Sequence, residues 1–114
     1  MKSKRDRGLV VFINECEKWR KILAPEFDIT YETREESGFA IVDYQLGAGT
    51  AEITVSENHL LDNDYELRKT ALEEILHLVF AEYRNLADGF MSTAFVDLQE
   101  HKIINKIKSI LIKK

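Results

Sequence analysis

The spacing of apolar side chains changes twice along this chain of 114 residues, and this limits the fold more than any other feature. Over residues 5–23 the apolar positions recur at helical spacing, which is typical of an amphipathic helix. From 27 to 55 they alternate with polar residues, which is typical of strands with one solvent-facing side. Beyond residue 62 the helical spacing returns. The pattern predicts an α+β domain in which helices pack on one small sheet.

Turn residues separate the predicted elements. Pro25 ends the first helix, because the residue before a proline is kept out of the helical region. The turn sequences at 35–38 and 47–49 divide the next stretch into three strands. Since short turns join neighbours in a sheet, we expect these strands to pair in sequence order, as a three-stranded, mainly antiparallel meander.

Two further helices are predicted in the second half of the chain. Asn63 is suited to cap a long helix that should run to about Asn85, and Ser92 or Thr93 can cap the last one. The order is therefore helix, three strands and two helices. Because the length lies below about 150 residues, we expect a single domain over 1–114.

The predicted core is formed by the apolar faces of these elements. Cys16 lies on such a face, so we expect an inert thiol, and His59 follows a strand, so we expect a surface histidine. The residues predicted to be buried are Phe12, Trp19, Ile41, Ile53, Leu72, Ile75 and Val79.

Composition disfavours several classes of function. Sixteen Lys and Arg against twenty Asp and Glu give a net charge of −4, which disfavours nucleic-acid binding. One cysteine forms neither an internal disulfide nor a cysteine zinc site, which fits a reducing compartment. No apolar run approaches the roughly 18 residues of a membrane span, and the run Leu9–Ile13 is too short for a signal peptide. We therefore expect a cytoplasmic protein without a membrane partner.

The helix predicted after Asn63 carries a narrow polar arc. At about 100° per residue, Glu73, Glu74 and His77 project towards one region. Leu78 and Phe80 flank this arc, which favours a covered position in which carboxylates need partners. The alternative is a solvated helix face with a simple Glu–His pair.

The last helix contains a second unusual carboxylate. Glu100 falls near the middle of its apolar stripe, while Asp97 and His101 lie towards the edge. A buried carboxylate costs several kcal/mol unless it is paired or bound to a metal. If the helix begins later, Glu100 instead lies in an exposed first turn, and the spacing leaves both alternatives open. We expect Glu100 to converge with the polar arc of the preceding helix, so that His77 and Glu100 approach each other.

The element order and the segment Glu73-Glu74-Ile75-Leu76-His77 resemble the minimal zincin metallopeptidases. The resemblance is closest to the short metallopeptidases of phages and prophages, which are relatives of the SprT-like and ImmA/IrrE-type domains. It covers most of the chain through the segments WRKILAPEFDITYE, AEITVSENHL, LRKTALEEILHLVF and EHKIINKIKSIL. In that family the penultimate helix reads His-Glu-x-x-His.

The resemblance implies a role for each residue that matches the family motif. Glu74 matches the general base, His77 the second histidine, and Glu100 the third metal ligand. The first histidine is replaced by Glu73. Two imidazoles one turn apart normally hold Zn²⁺ while the glutamate takes a proton from the bound water.

A Glu/His/Glu set changes the chemistry of such a site. Carboxylate oxygens bind Zn²⁺ at similar distances, but two anionic ligands leave the bound water less acidic and shift the preference towards Mn²⁺ or Fe²⁺. The cofactor implied is therefore zinc or another divalent metal, or none. The third ligand stays open between Glu100, Asp97 and His101.

Two functions follow from the resemblance. The first is a phage- or prophage-derived zincin-like protein with a degenerate metal site, which lacks ordinary zinc peptidase activity and binds a protein or peptide. The second is an active metallopeptidase that uses the Glu/His/Glu site. In either case the strand Ala51–Ser56 is the candidate for contact with a peptide. The sequence does not indicate an oligomeric state.

Overall fold

Helices and a three-stranded sheet follow one another in the order that the apolar spacing predicts. The computed structural model describes residues 3–87 and 90–112. The helices are α1 (Lys4–Leu23), α2 (Asp64–Val79), α3 (Ala81–Ala87) and α4 (Thr93–Leu111), with a 3₁₀ helix at His59–Leu61. The strands are β1 (Asp28–Arg34), β2 (Ala40–Gln45) and β3 (Thr50–Ser56). The predicted α+β class is confirmed.

Helix α1 has clear boundaries. The Ser3 side chain accepts a hydrogen bond from the backbone N–H of Asp6, whose carboxylate accepts one from the backbone N–H of Ser3. The helix ends just before Ala24-Pro25, as expected. Near its start, Gly8 touches the 3₁₀ helix so closely that an added Cβ would lie 2.1 Å from the carbonyl oxygen of Leu60. Glycine is therefore required for this packing.

The sheet has the strand order β1-β3-β2, so the predicted meander is wrong. Strand β1 pairs with β3 in parallel, and β2 pairs with β3 antiparallel. The central strand β3 has the most buried apolar side chains of the three, namely Ala51, Ile53 and Val55. The turn sequence at 35–38 marked a reversal of the chain correctly, but a turn does not specify which strands become neighbours.

Helices cover one face of the sheet, and the other face is polar and exposed. Phe12, Trp19, Ile53, Leu72 and Ile75 are buried between the layers, as predicted.

Ile41 and Val79 were predicted to be buried but are 47% and 39% exposed. Along β2 the alternation turns Ala40, Val42 and Tyr44 inwards, so Ile41 faces solvent. A run of apolar residues such as Phe39–Val42 does not show which alternate positions face the core.

Helix α2 ends earlier than predicted. It stops at Val79 rather than near Asn85, and α3 starts two residues later. The Phe80 N–H still donates to the Leu76 carbonyl, and the Phe80 carbonyl accepts from the Arg84 N–H. The break therefore requires neither glycine nor proline, which explains why the sequence did not reveal it.

His59 was expected at the surface and is buried instead. Its Nδ1 is hydrogen-bonded to Oδ2 of Asp62 at 2.6 Å, and its Nε2 to Oγ1 of Thr70 at 2.8 Å. The ring also stacks on Phe39, with 4.5 Å between centroids. The 3₁₀ helix turns the imidazole towards α2, where Nε2 reaches Thr70, while Nδ1 reaches Asp62 at the end of the 3₁₀ helix itself.

No helix within residues 3–87 and 90–112 has the length and apolarity needed to cross a membrane.

Candidate functional site

A cavity of about 290 Å³ lies beside strand β2, with polar side chains from α2, α3 and α4 in its wall. Three of the residues singled out by the sequence line it, namely Glu74, His77 and Glu100. The complete lining is Ala40, Ile41, Val42, Tyr44, Glu74, His77, Arg84, Glu100 and His101. Glu73, the fourth predicted residue, is not part of it.

His77 and Glu100 meet across α2 and α4, which confirms the predicted approach of these two side chains. Nδ1 of His77 is hydrogen-bonded to Oε2 of Glu100 at 2.6 Å. Helix α4 begins at Thr93 after the Ser92 cap, so Glu100 lies in its interior and only 4% of the residue is exposed. The alternative of an exposed first turn is thereby excluded.

Glu100 has a second oxygen without a partner. Its Oε1 is buried and makes no hydrogen bond within the described part of the chain. An unpaired buried acceptor loses its hydration without compensation, which costs about 1–3 kcal/mol and more for a charged group. This oxygen is therefore the atom of the site with the largest unused capacity to bind a donor.

A cation from α3 lies beside this pair. Arg84 forms an ion pair with Asp97 through Nη2, and its Nη1 lies 3.8 Å from Oε2 of Glu100. The sequence analysis missed Arg84. Its position depends on the break between α2 and α3, and nothing in the sequence signalled that break.

Glu74 is buried beneath the cavity, with 5% of the residue exposed. The pKa of its carboxyl is raised from 4.5 to about 8, mainly by burial and also by the charge of Glu73, while Lys108 and Arg34 oppose the shift. The described residues offer Glu74 no hydrogen bond or salt bridge within the usual distances. At neutral pH this side chain therefore holds its proton for most of the time.

Glu73 points away from the cavity. Its Oε1 lies 3.4 Å from Nζ of Lys108, which is on α4. Consecutive residues of a helix project about 100° apart, so the burial of Glu74 turns Glu73 outwards. The four predicted residues thus divide into three that line the cavity and one that pairs elsewhere.

The side chains do not fit the metal site that the resemblance implies. Among residues 3–87 and 90–112, no group of three His, Cys, Asp or Glu side chains is arranged to hold a metal ion. The two alternatives for the third ligand also lie in other contacts. Asp97 binds Arg84, and the exposed His101 donates from Nδ1 to the carbonyl of Asp97 at 3.0 Å.

The strand predicted to contact a peptide is unsuitable for strand addition. Ala51–Ser56 belongs to the central strand β3, whose backbone pairs with β1 on one side and β2 on the other. A peptide therefore finds no free edge there. The physical reason is again the apolar face of β3, which places this strand in the middle.

The free edge beside the cavity belongs to β2. The carbonyl of Phe39 accepts from the N–H of Ser56 at 2.8 Å, and bonded and non-bonded residues alternate along an antiparallel pair. The backbone groups of Ala40, Val42 and Tyr44 therefore point away from β3. These three residues also line the cavity.

Comparisons with protein-family models, with curated proteins and with solved structures find no match.

Proposed function

We propose that this protein is a small peptide-binding module on a zincin-like scaffold, without ordinary zinc peptidase activity. The observation that carries the proposal is that the same residues of β2 lie at the edge of the sheet and line the cavity. Ala40, Val42 and Tyr44 present backbone groups at the free edge of β2, and the same residues line the cavity with the polar side chains. An added strand would therefore pair with β2 and place side chains at the cavity.

In recognition by strand addition, the backbone and the side chains of the bound segment have different roles. Main-chain hydrogen bonds supply affinity for any extended segment, and a pocket for alternate side chains supplies specificity. Phe39 and Ile41, at the start of this edge, are both exposed. They offer apolar contacts next to the outward-facing backbone groups of Ala40 and Val42.

The polar side chains argue against an ordinary zinc peptidase. Glu73 stands where the zincin motif has its first histidine, and it pairs with Lys108. Glu74 matches the general base, and in the metal-free protein its pKa of about 8 leaves it protonated at neutral pH.

An active metallopeptidase with a Glu/His/Glu site is the second candidate. It is favoured by the meeting of Glu74, His77 and Glu100 at one cavity, and by the unpaired oxygen of Glu100. For this candidate Glu73 and Lys108 would have to separate. The phage or prophage origin and the cytoplasmic location stay predictions in both cases.

Two variants of Ala40 test the peptide-binding proposal. Decapeptides are selected against the protein from a displayed random library, and their affinities are measured by fluorescence polarisation. Ala40→Pro removes an outward N–H, whereas Ala40→Val keeps it at similar bulk. Proline is tolerated at the start of an edge strand, and circular dichroism checks that both variants fold.

We expect Ala40→Pro to weaken binding about tenfold relative to Ala40→Val, since one main-chain hydrogen bond is lost. If no peptide is selected, or if both variants bind equally well, strand addition at β2 is wrong.

A further inference from the structure

Each described cation near the carboxyl groups of the cavity is shared with another acid. Three cations act on Glu74 or Glu100, and each also pairs with another acid. These pairs are Arg84 with Asp97, Lys108 with Glu73 at 3.4 Å, and Arg34 with Glu36 at 4.0 Å. Since Glu74 holds its proton at neutral pH, Glu100 is left as the acid of the cavity whose charge a positively charged ligand could neutralise.

Because one oxygen of Glu100 is unpaired, the site is suited to a compact donor that makes a single hydrogen bond to this carboxylate. Oε2 of Glu100 is already bonded to His77, and only Oε1 is free among the described atoms of this carboxylate. A guanidinium binds a carboxylate best through two parallel bonds, which needs both oxygens. An ammonium is a compact charge that needs only one oxygen from each acceptor.

The apolar part of the lining suits an aliphatic stem. Ala40, Ile41 and Val42 form one side of the cavity, opposite the polar residues of the helices. A lysine side chain combines a chain of methylenes with a charged end, and such side chains lie along apolar surfaces with the charge at a polar group.

We propose that this cavity binds a primary ammonium group of the peptide that pairs with β2, with Oε1 of Glu100 as its principal acceptor and the Glu74 carboxyl beside it. This inference rests on the proposed function. Two sources supply the same chemistry, namely a lysine side chain within the peptide and the amino group at its start. Since alternate residues of an added strand face the same side, one position in the peptide carries the preference.

Peptide variants test the proposal on the unmodified protein. In a selected decapeptide, each lysine is replaced in turn by norleucine, which keeps the methylene chain and removes the charge. In a second arm the amino terminus is acetylated. We expect one of these changes, and not the others, to weaken binding about 10- to 100-fold, as for the loss of a hydrogen bond to a charged group.

Glu100→Gln supplies the matching change on the protein. It should remove most of the preference for lysine over norleucine, or for the free over the acetylated terminus. Glu52→Gln is the control, because Glu52 is an exposed acid on the opposite face of the sheet. This control should keep the preference. Should Glu100→Gln fail to fold, the peptide pairs still decide.

The outcomes separate this inference from the proposed function. If peptides bind in a manner that depends on Ala40 but with equal affinity for charged and neutral variants, the ammonium site is wrong and peptide binding stands. If Ala40→Pro has no effect, the proposed function itself fails. A preference for arginine over lysine at the same position also overturns the ammonium site.

Discussion

Within residues 3–87 and 90–112, two histidine–carboxylate pairs have the same length and differ in their surroundings. His59 meets Asp62 and His77 meets Glu100, each with 2.6 Å between nitrogen and oxygen. The side chain of Asp62 is 46% exposed, so water completes its hydration, whereas Glu100 is buried with one oxygen unpaired.

The surroundings of the two pairs distinguish a histidine that stabilises the fold from one that belongs to a candidate site. Both ring nitrogens of His59 have partners, and neither His59 nor Asp62 has a buried polar atom left without one among the described residues. The His77–Glu100 pair lines a cavity, and Oε1 of Glu100 has no hydrogen-bond partner among the described residues. The first cluster has its hydrogen bonds satisfied within the fold, while the second leaves a buried carboxylate oxygen unpaired at a cavity.

The largest effect is expected for a substitution that disrupts the contacts of His59 with Asp62, Thr70 and Phe39. His59→Ala removes two hydrogen bonds and the stack on Phe39 and leaves a void, so we expect it to lower the free energy of unfolding by about 2–4 kcal/mol. Urea denaturation followed by circular dichroism measures this. His101→Ala is the control, and as an exposed position it should change the free energy by less than about 0.5 kcal/mol. Equal losses in the two variants would contradict the distinction.

The next effect concerns the dependence of stability on pH at Glu74. Its folded-state pKa is raised from 4.5 to about 8, so over this window the folded protein keeps a proton that the unfolded chain releases. Stability therefore falls as pH rises, by up to about 1.4 kcal/mol per unit. Other groups that act on Glu74 or share its cavity or core are Glu73, Lys108, Arg34, Cys16, His77 and Glu100.

We expect Glu74→Gln to be more stable than the natural protein by about 1–3 kcal/mol at pH 8 and about equal to it at pH 4. Urea denaturation at pH 4, 6 and 8 measures the difference. Glu52→Gln removes an acid at an exposed site and serves as the control. A constant difference between Glu74→Gln and the natural protein at all three pH values would show that Glu74 is not desolvated.

The smallest expected effect is a rise in zinc affinity when the residues around the His77–Glu100 pair are made more like a zincin site. Glu73→His restores the first histidine of the zincin motif and frees Lys108 from its partner. A nitrogen ligand in place of a carboxylate should raise zinc affinity about tenfold, which corresponds to about 1.4 kcal/mol. Isothermal titration with zinc compares both forms. If the natural protein already binds zinc tightly and the substitution adds nothing, Glu73 is a competent ligand and the second candidate function gains support.

The sequence located the helix of the candidate site but not the direction of all its side chains. Glu74, His77 and Glu100 were singled out and do line one cavity, because helical spacing is a local property. Glu73 was grouped with them, although it turns to Lys108. A shift of one residue in a helix rotates a side chain by about 100°, and only packing against the sheet decides which residue points inwards.

What the sequence determined by itself is the type and order of the elements. The two apolar periods, the Asn63 cap and the stop at Pro25 each depend on residues a few positions apart. These signals act through local sterics and hydrogen bonds, so they can be read without knowing the rest of the chain.

Tertiary structure alone decided the strand order, the burial of His59 and the place of Arg84 at the cavity. Each depends on contacts between distant segments, where burial of the apolar face of β3 outweighs the simpler pairing of consecutive strands. The central position of β3 leaves β2 at the edge, and the break before α3 brings Arg84 to the same place. The candidate site lies where these long-range contacts meet, because its geometry requires several elements to be packed at once.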